Sequence, residues 1–314
     1  MSVLTEIAEA TRSAHAAAAP ATVAIGRHTR GAGVVIAPDR VVTSAHNLRD
    51  RTTQVTFADG THAQAALVGS DPDHDIVVLE VSTGDIAPLP WSDTPVATGD
   101  PVFAVARASG GDRVTAGFVS GVGRAFRGPR GRRVKGAVEH TAPLARGSSG
   151  GPLVDAEGRL VGINTHRLGE GFYLALPADD DLRSRVDALV AGRHLSARRL
   201  GIVIVPGPRA ARLRRRVGLP DVPGLLIRGV VDGSPAATAG LTEGDLLTEV
   251  DGTAVASVDD LWDALDAAGG SLSLTVLRGT EERTVTVTFA PADDASGEDG
   301  DAATTDSSDA PPAD

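Results

Sequence analysis

The chain contains no cysteine. Disulfides, thiolate metal sites and a cysteine nucleophile are therefore excluded. Aromatic residues make up only 3% of its 314 residues, so its cores must be built from Val, Leu, Ile and Ala. No run of about 18 consecutive apolar residues occurs, and no membrane-spanning helix is expected. The first twenty residues carry Glu6, Glu9 and Arg12 and lack a basic start followed by an apolar run. They do not read as a secretory leader. The default expectation is a cytoplasmic protein, or an extracytoplasmic one if the chain is a processed form.

Basic charge is scarce where acid is concentrated. The net charge is −11. Residues 291–314 hold eight Asp or Glu and no Lys or Arg, so the rest of the chain carries only −3. That balance argues against a nucleic-acid-binding protein. The acidic stretch is rich in Asp, Ala, Ser and Pro and cannot bury apolar surface, so disorder is expected there.

What is present is turn-forming residues and short apolar runs. From Ala21 onward, twelve such runs between Thr22 and Ala175 are broken by Gly, Pro and Asp every ten residues or so. Many short strands at regular spacing predict an all-β barrel or sandwich, and twelve suit two six-stranded barrels. Residues 1–20 are Ala-rich and helix-compatible. Residues 180–194 read as a closing helix, with Leu182, Val186, Leu189 and Val190 at helical spacing. A second unit over 196–290 mixes strands with a short Pro-started helix at Ser234–Leu241 and an amphipathic helix at Ser257–Ala268. The division is 1–20, 21–195, 196–290 and 291–314.

Three segments carry chemistry. Val41-Val42-Thr43-Ser44-Ala45-His46 is a strand that delivers a histidine. Asp71-Pro72-Asp73-His74-Asp75 precedes the apolar run Ile76–Leu79. Gly147-Ser148-Ser149-Gly150-Gly151 is a glycine-rich turn holding serines. A serine hydroxyl is a poor nucleophile until an imidazole takes its proton, and the imidazole needs a carboxylate to hold its tautomer. Asp75 is favoured over Asp71 and Asp73 because it stands directly before the strand; the other two read as turn residues. Either Ser148 or Ser149 could be the nucleophile. The turn Gly147, Ser148, Ser149 is the candidate oxyanion hole, with the Gly147 and Ser149 amides as donors. His15, His28, His62, His74, His140, His166 and His194 show no metal spacing and read as surface or structural. No metal or cofactor is expected.

In the order His, Asp, Ser, these segments resemble the HtrA/Deg family of trypsin-like proteases. Thr115-Ala116-Gly117-Phe118-Val119-Ser120, Leu160-Val161-Gly162-Ile163-Asn164-Thr165 and Phe172-Tyr173-Leu174-Ala175-Leu176-Pro177 are similar to further family strands. The resemblance covers roughly residues 21–290. It implies a mainly β, chymotrypsin-like double barrel followed by an α+β PDZ domain. The family pattern places the nucleophile before Gly-Gly, which selects Ser149. It also implies an endopeptidase acting on unfolded or tagged proteins. The pocket-base position six residues before the nucleophile is Pro143, followed by Leu144. With Ile163 and Asn164, an uncharged pocket for small or medium apolar side chains is expected. Arg199-Leu200-Gly201-Ile202 resembles a PDZ carboxylate-binding loop. A C-terminal peptide would add beside the strand from Ile202, with Ile202, Ile204, Leu261 and Leu265 lining its pocket.

The basic stretch Arg124, Arg127, Arg130, Arg132, Arg133 and Lys135 stands where the family has a sensing loop; its simpler reading is a solvated loop. Arg212–Arg216 reads as solvated surface. The family commonly forms homotrimers through N-terminal aromatics, which residues 1–25 lack. The rival function is a non-cleaving peptide-binding chaperone or PDZ scaffold. The complete His46, Asp75 and Ser149 set favours the protease.

Overall fold

Short runs of Val, Ile, Thr and Ala become strands in the computed structural model of the chain, which describes residues 2–27, 30–108, 111–128, 131, 133–169, 171–195, 198–205 and 207–289. The acidic stretch 291–314, His28, Arg130, Arg132 and part of the segment joining the two units lie outside these residues. The chain divides into two compact units, Met1–Ser196 and Ala197–Asp314.

The first unit opens with α1 (Val3–Ala18), whose Ser2 cap accepts from Thr5 N–H. Six strands follow: β1 (Thr22–Ile25), β2 (Gly31–Ala37), β3 (Arg40–Thr43), β4 (Thr52–Thr56), β5 (His62–Asp71) and β6 (Ile76–Glu80). They close into an antiparallel barrel in the order β1-β2-β3-β6-β5-β4. Closure leaves no strand edge exposed. A second set, β7 (Pro101–Ala108), β8 (Gly111–Arg127), β9 (Arg133–His140), β10 (Pro152–Val154), β11 (Leu160–Gly169) and β12 (Phe172–Pro177), closes in the order β10-β11-β12-β9-β8-β7. The expected pair of six-stranded barrels is therefore present.

One apolar core runs from Val23, Val41 and Leu79 of the first barrel to Phe103, Val105 and Ile163 of the second. The barrels are also joined by a buried cation. Arg107, on β7, donates to the Thr22 carbonyl at 3.0 Å, to the Ala19 carbonyl at 3.0 Å, and pairs with Asp112. The unit ends in α2 (Asp180–Val190), capped by Asp179 accepting from Leu182 N–H. This helix lies so close to β5 that a Cβ on Gly69 would stand 2.4 Å from the Leu189 carbonyl oxygen, so only glycine fits there.

The second unit contains β13 (Ile202–Val205), α3 (Gly207–Arg216), β14 (Leu225–Val230), α4 (Pro235–Thr238), β15 (Asp245–Val250), β16 (Thr253–Ala254), α5 (Val258–Ala267), β17 (Ser271–Arg278) and β18 (Glu281–Thr288). The sheet order is β13-β14-β15-β17-β18, with β16 beside β15. Ser257 and Asp260 form a full capping box at the start of α5. α3 is not evident from the sequence, because its apolar stripe is only Ala210 and Leu213. One correction follows from it. Arg214, within the run expected to be solvated, is 2% exposed. It donates to the Pro220 carbonyl at 3.3 Å and the Gly279 carbonyl at 3.2 Å, so its stem completes the buried face.

Asp245 is fully buried and receives two bonds from Arg278, both at 2.8 Å. Burial pushes its carboxyl upward, but the hydrogen bond and charge of Arg278, with the Thr242 amide, bring it below the ordinary carboxylate value. Removing one partner strands a buried charge. Arg278→Met is expected to destabilise this unit by about 3 kcal/mol. Urea unfolding of the full chain tests this, and an unchanged midpoint would show that the pair contributes nothing.

Candidate active site

β3 runs straight into a single 3-10 turn, Ala45–Asn47, which carries His46. Antiparallel pairing sets Thr43 opposite Val77, at the start of β6. Asp75, two residues before Val77, is thereby brought to the same end of the first barrel. Asp75 is fully buried and adopts a left-handed backbone (φ 59°). Its carboxylate accepts the His46 backbone N–H at 3.0 Å and the His46 Nδ1–H at 2.8 Å. With Nδ1 donating, Nε2 carries the lone pair and can accept a proton.

The second barrel supplies the other parts. Thr165, on β11, donates its hydroxyl to Asp75 Oδ2 at 2.9 Å. Ser149 stands in the turn before β10, and its hydroxyl donates to the Thr165 carbonyl at 2.9 Å. Among the described residues no hydrogen bond joins Ser149 Oγ to His46. Gly147 and Gly150 both have φ 84°. A Cβ on Gly150 would lie 2.4 Å from the Ala32 carbonyl oxygen, so the turn can approach the first barrel only through glycine. Ser148 is 4% exposed, and its N–H donates to the Ala145 carbonyl at 3.2 Å. Among the described residues the Gly147 and Ser149 amides have no acceptor, which leaves these two N–H groups available to a developing oxyanion.

The four residues expected to line a substrate pocket differ in placement. Pro143 is exposed and Leu144 is half-buried against the second-barrel core. Ile163 is 1% and Asn164 0% exposed. The Asn164 Nδ2 donates to the Gly151 and Pro152 carbonyls, both at 3.1 Å, so this side chain braces the serine turn from behind. A concavity of about 440 Å³ between β2, Trp91 and α2 shares no residue with this cluster.

Three side chains near the site have a placement that the sequence does not signal. Asn47 Nδ2 donates to the Ser149 carbonyl at 2.9 Å. Thr165 anchors Asp75 as described. His166, expected to be surface or structural, stands beside the candidate base: its ring centroid is 6.4 Å from that of His46 and 5.1 Å from that of Phe126. Burial lowers the His166 pKa; the Asp75 charge opposes this and His46 reinforces it. Asp71 and Asp73 flank the turn as expected but are each 2% exposed. Asp71 pairs with His74 at 2.9 Å and with Arg185 of α2 at 3.0 Å, which fixes the turn that presents Asp75. In the basic stretch, Arg124 pairs with Glu139 at 3.3 Å.

In the second unit, Leu200 is 3% exposed, and Gly201 takes φ 77° at a point where a Cβ would lie 2.2 Å from that of Ser234. Ile202 and Ile204 pack partly buried on the core, and Leu261 and Leu265 are inside it, at 5% and 3% exposure. Among the described residues β13 pairs with β14 alone, so its other edge is open to an added strand. Among the described residues the Leu200 and Gly201 N–H groups have no acceptor.

Two closed six-stranded barrels, with His46 and Asp75 on one and Ser149 on the other, are the architecture of chymotrypsin-type peptidases. A family profile for the trypsin-like peptidase domain matches residues 31–163, and one for the PDZ domain matches residues 226–278. A putative serine protease, HhoA, of Synechocystis is 30% identical over 82% of this chain and 70% of its own. A probable periplasmic serine endoprotease, DegP-like, of Brucella suis is 31% identical over 86% of this chain and 54% of its own. A solved HtrA-type protease, AlgW with tripeptide, superposes with a TM-score of 0.61 at 27% identity, over 90% of this chain and 99% of that one. The chain belongs to the HtrA/Deg family. It spans roughly half to two thirds of the length of several of these relatives. Among the described residues no helix is long and apolar enough to cross a membrane, and no group of His, Cys, Asp or Glu could hold a metal.

His140 lies behind the serine turn, fully buried and stacked on Tyr173 at 5.8 Å. Burial pushes its pKa from the ordinary 6.5 down to about 4, partly offset by the Asn164 side chain. The folded state thus binds fewer protons than the unfolded chain between these values. The resulting stability is complete above pH 6.5 and is lost as pH falls towards 4, by up to roughly 3 kcal/mol. His140→Phe should flatten that part of the stability–pH curve. An equal slope in wild type and variant would assign the acid sensitivity to other groups.

Proposed function

We propose that this chain is a serine endopeptidase in which Ser149 is the nucleophile, His46 the general base and Asp75 the group that orients His46. The observation that carries the reading is the buried Asp75 carboxylate. It holds His46 Nδ1 at 2.8 Å, while Thr165 ties it to the strand whose carbonyl meets Ser149 Oγ. In the reaction the Ser149 hydroxyl rotates to His46 Nε2, gives up its proton and attacks the scissile carbonyl. The imidazolium is stabilised by Asp75 and then protonates the leaving amine. The Gly147 and Ser149 amides stabilise the tetrahedral oxyanion. This gives residues 21–195 the chemistry and residues 196–290 the regulation by peptide.

The substrates proposed are unfolded or tagged proteins. Pro143 stands where a pocket for Arg or Lys would need an acid, with Leu144 beside it in sequence, which supports cleavage after small or medium apolar residues. The open edge of β13 and the unengaged amides at Leu200 and Gly201 support capture of a peptide C-terminus, with Ile202, Ile204, Leu261 and Leu265 as its apolar lining. HtrA-type structures solved with bound peptides support the same reading. A homotrimer is the assembly that family membership supports. The periplasmic name of one relative favours an extracytoplasmic setting over the cytoplasmic default.

Casein digestion by wild type, Ser148→Ala and Ser149→Ala tests this. Wild type and Ser148→Ala should cleave. Ser149→Ala should lose about 10⁶ in kcat. No cleavage by wild type, even with an apolar C-terminal peptide added, would favour a peptide-binding chaperone instead.

A further inference from the structure

The peptide group between Ser149 and Gly150 is held from both barrels. Its N–H donates to the Asn164 carbonyl at 2.6 Å. Its carbonyl accepts twice from the first barrel, from Ala32 N–H at 2.9 Å and from Asn47 Nδ2 at 2.9 Å. The second of these donors is a side chain, and it belongs to the residue directly after His46.

Asn47 is 1% exposed. Its second amide proton goes to Thr43 Oγ1 at 3.0 Å, and that hydroxyl donates in turn to the Ala32 carbonyl at 2.6 Å. Both Nδ2 protons are therefore committed to acceptors. A flipped carboxamide would set its oxygen against the Ser149 carbonyl, two acceptors face to face, so the neighbours dictate the orientation. Space dictates it as well. A Cβ on Gly31 would lie 2.0 Å from Asn47 Nδ2, so the side chain occupies a slot that exists only because residue 31 is glycine.

We propose that Asn47 is a positioning residue for the nucleophile, setting the Ser149 backbone in register with the turn that carries His46. The inference rests on Ser149 as the nucleophile. The chain of contacts is short: the 3-10 turn that presents the base also grips the carbonyl of the residue that attacks. Without that grip the Ser149–Gly150 peptide keeps only the Ala32 bond on its carbonyl and can rock about it. A displacement of about 1 Å at a reacting atom can cost about 10²-fold in rate. The His46 ring is held separately, by the Asp75 carboxylate.

The test measures peptide hydrolysis and the rate of Ser149 labelling by a fluorophosphonate, using wild type, Asn47→Leu and Ser149→Ala. Asn47→Leu keeps the branched heavy-atom skeleton, with bulkier methyls in place of the carboxamide, and removes both donors. The expected result is a fall in kcat and in labelling rate of about 10- to 100-fold, with KM within about threefold and the acid limb of the pH profile unmoved. Gly31→Ala provides a second route should Asn47→Leu fold poorly, because its new methyl must displace the carboxamide. In an Asn47→Ala background, already low in kcat, Gly31→Ala should cost little further, because the methyl there has room. A wild-type kcat in Asn47→Leu would overturn the proposal. So would a loss confined to a shifted acid limb, or strictly additive Gly31 and Asn47 effects. Absence of labelling in wild type would instead refute Ser149 as the nucleophile, and this proposal with it.

Discussion

The buried carboxylate of Asp75 is the constraint around which the first unit is arranged. A carboxylate taken out of water is costly unless every lone pair is engaged. Here it receives a backbone N–H and a ring N–H from His46 and a hydroxyl from Thr165. Two of these donors come from the first barrel and one from the second. The same interactions that make the charge tolerable thus define how the two barrels meet. Asp75 reaches this position through a left-handed backbone, a strained choice for a non-glycine residue. The preceding turn resists relaxation because Asp71 is pinned between His74 and Arg185. α2 therefore contributes to the site without touching it.

The rest of the unit keeps that junction in place. Arg107 binds carbonyls of the segment linking α1 to β1 from the opposite barrel, and a continuous apolar core fills the space between. Asn47, Ala32 and Asn164 treat the serine turn in the same manner, each gripping backbone rather than side chain. Backbone anchoring would suit a turn whose side chain, as proposed for Ser149, has to stay free to react.

How much of this is legible in the sequence depends on the distance between partners. Twelve strands and both barrels follow from local alternation of apolar and turn residues. His46, Asp75 and Ser149 each lie in a short segment with its own pattern. Asn47 and His166 do not, and Thr165 lies in a patterned strand that says nothing of its bond to Asp75, because what gives these three meaning is a neighbour far along the chain. α3 is hidden for a related reason. Its buried face depends on the aliphatic stem of Arg214 and on two carbonyls, of nearby Pro220 and distant Gly279, and a run of arginines ordinarily signals water. Asp71 likewise resembles any turn aspartate until α2 folds over it.

The placement of the Ser149 hydroxyl on the Thr165 carbonyl bears on how such an enzyme would be kept silent. Hydroxyl and side-chain rotations of partly exposed residues take picoseconds to nanoseconds, whereas rebuilding a loop takes far longer. The resting state is then a competition between two acceptors, a carbonyl and an imidazole, for one proton. Idleness of this kind would be an equilibrium bias of the proposed nucleophile and would need no closed gate. Any ligand that makes the imidazole the better acceptor, or the carbonyl the poorer one, shifts the balance without moving a strand.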